Sequence, residues 1–69
     1  MRSRESPLTS AEEEVLGYAA LGFSDKAIAT ALQISRKTVS AHLQSIYRKL
    51  GCHNRTAAAH WFLTEQRDA

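Results

Sequence analysis

The sequence predicts an all-α fold of four short helices. Three observations carry that prediction. Polar cap residues (Thr9, Ser24, Ser35 and Asn54) each stand ahead of a stretch whose apolar residues recur at helical spacing. Gly22 and Gly51 fall where two of those stretches end, and glycine enters the left-handed conformation at little steric cost. Gln33, Ile34 and Ser35 alone separate the second stretch from the third, which leaves room only for a tight turn between two helices.

Thr9 and Glu12 form a capping box, hydroxyl to the Glu12 amide and carboxylate back to the Thr9 amide. Leu8 stands before the cap, where a hydrophobic staple would. Val15, Leu16 and Ala19 give the first helix, residues 10–21, its apolar side. Glu12, Glu13 and Glu14 suit the positive end of the helix dipole and read as an exposed acidic start. Ser24 caps a short second helix with Asp25 in its first turn and an apolar side of Ala27, Ile28, Ala31 and Leu32. Ile34 plugs the turn, and Ser35 caps the third helix. There Val39, Leu43, Ile46 and Leu50 form one narrow stripe. The opposite face carries Lys37, Ala41, Gln44, Ser45 and Arg48, with Ser40 at its edge.

Asn54 caps a fourth helix with Ala57, Ala58, Trp61 and Phe62 on its apolar face. Trp61 and Phe62 are adjacent, so a helix points them in different directions. One is expected in the core and the other partly exposed, where it offers a contact to a second copy. The chain divides into an N-terminal linker or flexible segment (1–7), one domain (8–66) and a frayed tail (67–69).

A 69-residue chain has one small core. At this size folding buries about 60% of the unfolded surface, and such a core rarely gives more than roughly 3–5 kcal/mol of net stability. The formal charge of +2 conceals a segregation: residues 1–25 carry net −3, residues 26–64 carry net +6 with no acid, and the tail carries net −1. A segregated basic segment points to a polyanionic partner, nucleic acid ahead of a membrane surface. No apolar run approaches the roughly 20 residues that span a bilayer, and the polar N-terminus has no signal-peptide character. Cys52 has no internal disulfide partner, which suits a reducing cytoplasm. Cys52, His53 and His60, with His42, match no structural zinc spacing, so no metal is expected. Cys52 reads as a small packing residue. No nucleophile–base–orienter set and no phosphate-binding glycine loop is present, so neither an enzyme nor a cofactor is expected.

Two helices joined by a tight turn, the second with a core stripe and a small, polar, basic outer face, read as a helix-turn-helix. That outer face suits a DNA major groove. Ser40 and Ala41 let the backbone approach the base edges, Gln44 can bond an adenine edge, and Lys37 a guanine. Arg48 and Lys49 lie further along, where phosphates are the targets, and Lys26 can reach one from the start of the second helix. From Lys37 to Arg48 is roughly 16 Å of helix, enough to cross a groove about 12 Å wide. His42, beside the stripe, reads as a packing residue.

Further residues carry a resemblance. Leu8, Thr9, Glu12, Glu14, Val15 and Leu16 open the chain; Gly22, Ser24, Ile28 and Ala29 follow. Thr38, Val39, His42, Ile46, Lys49, Leu50 and Gly51 mark the third helix, and Asn54, Arg55 and Ala58 begin the fourth. In this order and spacing, over residues 8–63, they resemble the LuxR/FixJ-type (GerE-type) DNA-binding domain. The resemblance implies a four-helix bundle whose third helix reads the major groove, with Thr38 on a phosphate. It implies a dimer face on the fourth helix, where Trp61 and Phe62 lie, and two copies on a pseudo-palindromic site. It implies regulation of transcription, with double-stranded DNA, a second copy and RNA polymerase as partners. The chain is then the C-terminal piece of a longer regulator or a stand-alone one. Three positions depart from the family pattern: Ser40 and Ala11 replace common basic residues, and Ala27 replaces a common acid. The departure at Ser40 leaves the target sequence open. Two rival readings are a sigma-factor-like promoter-binding region, which would dispense with the fourth helix, and a protein-interaction module that keeps the fold.

Overall fold

Each helix starts on the cap residue that the sequence supplies. The computed structural model describes residues 7–67, with side chains through Glu65. In it α1 runs Ser10–Ala20, α2 Asp25–Leu32, α3 Arg36–Leu50 and α4 Arg55–Arg67, and no strand occurs among the described residues. The Thr9 hydroxyl accepts from the Glu12 amide at 3.1 Å, and the Thr9 amide donates back to Glu12 Oε1 at 2.9 Å. Ser24, Ser35 and Asn54 accept from the amides of Ala27, Thr38 and Ala57 at 3.1, 3.0 and 2.8 Å. Each cap satisfies one of the amides that a helix start leaves without an internal partner.

Three helices end alike. Gly22, Gln33 and Gly51 take left-handed φ values of 95°, 58° and 67°. The next amide then donates to the carbonyl five residues back: Phe23 to Tyr18 at 3.1 Å, Ile34 to Ala29 at 3.0 Å and Cys52 to Tyr47 at 3.0 Å. An apolar contact commonly accompanies this closure, and the Tyr18 and Phe23 rings supply it with centroids 5.0 Å apart. α1 therefore ends at Ala20, with Leu21 as its cap, one residue short of the expected end.

Leu16, Ile28, Ile46, Val15 and Val39 are the largest fully buried side chains, Ala58 is fully buried with them, and Leu8, Ala19, Ala29 and Leu43 complete the core. The α3 stripe behaves as expected, with Leu50 half-buried at its end. Ile34 packs on the core from the turn. On α2 the buried residues are Ile28 and Ala29, with Leu32 half-buried, whereas Ala31, expected inside, is exposed. α2 packs on both α3 and α1, so its covered arc is turned from the one that apolar spacing suggests.

The expectation for Trp61 and Phe62 needs the larger correction. Both are half-buried and both pack against the core. α4 lies against α1 and α3 together, so two neighbouring directions are covered at once. The large apolar residue left exposed on α4 is Leu63. The radius of gyration, 11.6 Å, is close to the roughly 11 Å of a single packed body of this length. α4 continues through Arg67, the first residue of the expected tail. Residues 1–6 of the expected linker and residues 68–69 lie outside the described residues. No helix among the described residues is long and apolar enough to cross a membrane.

Candidate nucleic-acid interface

The outer face of α3 follows from the register of its core stripe. Val39, Leu43, Ile46 and Leu50 point inward, and the same spacing moved two residues back selects Lys37, Ala41, Gln44 and Arg48. Two residues are a little over half a helical turn, so this second row lies opposite the first. All four are exposed, as is Ser40 beside them. α3 contains no acid, and among the described residues no side chain pairs with Lys37, Gln44 or Arg48. The four residues expected to face bases, Lys37, Ser40, Ala41 and Gln44, therefore share one exposed surface.

The other expected contacts divide. Lys26 is exposed in the first turn of α2. Thr38 is exposed at the start of α3, and its hydroxyl lies 2.9 Å from that of Ser35. Whichever of the two donates, the other keeps its own O–H for an outside acceptor. Arg36, which was not among the expected contacts, is exposed one residue after the cap. Its signal was available: a cation at the first position of the helix that carries the basic outer face.

Glu12 departs most from expectation. Glu13 and Glu14 are exposed, but Glu12 is only 5% exposed. Its Oε1 accepts from the Thr9 amide at 2.9 Å and from Lys49 Nζ at 2.8 Å, and its Oε2 accepts from Ser45 Oγ at 2.8 Å. Burial alone raises the carboxyl pKa. The bonds from Lys49, Thr9 and Ser45 and the Lys49 charge outweigh that and bring it from 4.5 to about 2. Ser45, expected on the outer face, is accordingly half-buried and turned toward α1. Lys49 keeps a side-chain exposure of 36%, with its ammonium on Glu12. The acid and the base are 37 residues apart, and only the packing of α1 on α3 brings them together.

A second ion pair joins the starts of α2 and α4. Arg55 donates from Nη1 to Asp25 Oδ1 at 2.7 Å and from Nη2 to the Phe23 carbonyl. Two of the six cations in residues 26–64 are thus held by acids from the N-terminal part of the chain. Lys26, Arg36, Lys37 and Arg48 remain without an acidic partner among the described residues. His42 and Cys52 are half-buried.

Residues 6–62 match the family described as bacterial regulatory proteins, luxR family (GerE). The crystal structure of the response regulator ChrA, from a heme-sensing two-component system, is similar, with 41% sequence identity and a TM-score of 0.78. The likeness covers 96% of this chain but 32% of that one, so the chain spans about a third of the length of that protein.

Proposed function

The chain belongs to the luxR family of bacterial regulatory proteins, and we infer that it regulates transcription by laying α3 in the major groove of duplex DNA. The observation that carries this reading is the α3 outer row: exposed, basic, free of acids and without a side-chain partner among the described residues. Lys37, Ser40, Ala41 and Gln44 would face base edges, where lysine can contact guanine, glutamine can bond adenine, and small residues permit close approach. Arg48, Lys26 and Thr38 would hold phosphates, joined by Arg36. Lys49 lies on the same stretch of helix, but its ammonium already has a carboxylate partner.

A homodimer through α4 fits the exposed Leu63 beside Phe62 and Trp61, and places two copies on a pseudo-palindromic site. RNA polymerase is the protein that such a regulator would meet at a promoter, and the bacterial cytoplasm is where that DNA lies. α4 also supplies the fully buried Ala58. A promoter-binding region that dispenses with the fourth helix is the rival reading, and it predicts that the chain binds paired half-sites without cooperativity.

Selection of binding sites from random duplexes, repeated with Gln44→Ala, tests the docking of α3. The variant should lose its preference at one base pair, by about 1–3 kcal/mol. An unchanged preferred site would mean that another face meets the bases.

A further inference from the structure

We propose that Glu12 is a positioning residue for DNA recognition, holding Ser45 and Lys49 so that Lys49 stays off the phosphates and α3 turns its Lys37–Gln44 face outward. The proposal rests on the α3 reading above. Ser45 and Lys49 are one helical turn apart and directly follow Gln44 and Arg48, two residues of the outer row. They form the flank of α3 that meets α1, with bonds of 2.8 Å each to the two oxygens of one carboxylate. That carboxylate is in turn fixed to the start of α1 through the Thr9 amide. Rotating α3 to bring Lys49 onto DNA would break bonds to both oxygens at once. Two contacts on one side of a helix, one turn apart, resist rotation about its axis as a single contact would not.

A lysine ammonium is a compact point charge on a flexible stem, and its attraction to phosphates is indifferent to sequence. Holding it withdraws one sequence-independent contact and leaves recognition weighted toward Lys37 and Gln44. The carboxylate that holds it stays ionised far below neutral pH. The carboxylate is also almost out of water, so its bond to the more exposed Lys49 is screened less than one between two surface groups.

Duplex affinity measured against salt concentration, for the wild-type chain, E12Q and the double variant E12Q/K49M, tests the proposal. The glutamine of the E12Q variant can still accept from the Thr9 amide but has no charge to hold Lys49. E12Q should bind random duplexes more tightly at low salt, with log K falling more steeply by about one released ion. Its ratio of preferred-site to random-site affinity should drop several-fold. E12Q/K49M should return the salt slope to the wild-type value. A merely structural Glu12 would lower the melting temperature and leave slope and ratio unchanged, which would overturn the proposal. A readout on the wild-type chain stands even if the variants unfold: the Lys49 ammonium NMR signal during duplex titration. It should hold its position while the Lys37 signal moves, and movement of the Lys49 signal would overturn the proposal. If the wild-type chain bound no duplex at any salt, the α3 reading itself would fall and this one with it. Duplex binding together with a moving Lys49 signal would remove this one alone.

Discussion

A carboxylate taken out of water must be compensated, and Glu12 is compensated by a backbone amide, a hydroxyl and an ammonium. Its pKa of about 2, below the ordinary 4.5, carries a consequence for stability. The folded value is the depressed one, so the stabilisation is complete above the unfolded value and is lost as pH falls through the folded one. The window is therefore about pH 4.5 down to about 2. The shift corresponds to roughly 3 kcal/mol, comparable with the whole net stability of a domain this small, about 3–5 kcal/mol. Thermal melts by circular dichroism should show a steep loss of melting temperature across that window, and E12Q should flatten it. A melting temperature that was the same at pH 3 as at pH 7 would contradict the arrangement around Glu12. Nothing local in the sequence announces this cluster. The capping box already accounts for a glutamate three residues after Thr9, and its second set of partners comes from another helix. Lys37, Ala41, Gln44 and Arg48, by contrast, were legible as one face, because the core stripe fixes their direction.

The helices show why starts were easier to read than ends. A cap is one polar side chain three residues ahead of the amide it serves, and Thr9, Ser24, Ser35 and Asn54 all serve theirs. Two ends were marked by glycine, but α2 closes on Gln33 with φ 58°, which no composition signal marks. There the burial of Ile34 against the core outweighs roughly 1 kcal/mol of left-handed strain. The two faces of α4 were also hidden, since how many neighbours a helix has is a property of the packing.

Two glycines give opposite predictions at this scale. Gly17 sits inside α1, and a Cβ there would meet Phe62 Cζ at 3.5 Å, an ordinary contact. Gly17→Ala should raise stability by about 0.5–1 kcal/mol through helix propensity. A Cβ on Gly51 would meet nothing within 4 Å, but φ is +67°. Gly51→Ala should lower stability by about 1 kcal/mol for conformational reasons alone. Thermal melts of both variants check the signs. A destabilised Gly17→Ala would mean that α1 and α4 pack more tightly than described.

Across the whole molecule, the segregation of charge serves two ends. Part of it is internal complementarity: Glu12 and Asp25, from the acidic first third, hold Lys49 and Arg55 from the basic stretch. The remainder, Lys26, Arg36, Lys37 and Arg48, has no acidic partner among the described residues and is the positive surface that the proposed function assigns to DNA. Counting cations along the sequence therefore overstates the charge free for DNA, because pairing between distant helices is visible only in the fold. Membership of the luxR family and the likeness to a response regulator agree with the use assigned to that surface.

On the reading proposed above, three cations without an acidic partner among the described residues, Lys26, Arg36 and Arg48, meet DNA phosphates while Lys37 meets a base edge. The most direct measurement is the affinity of the chain for a mixed-sequence duplex, by fluorescence anisotropy, across a range of salt concentrations. With three phosphates neutralised per chain, log K should fall against log salt with a slope of about −3 for each chain bound. Binding that did not change with salt, or no binding even at the lowest salt, would contradict that claim and give the outer face of α3 to a partner other than nucleic acid.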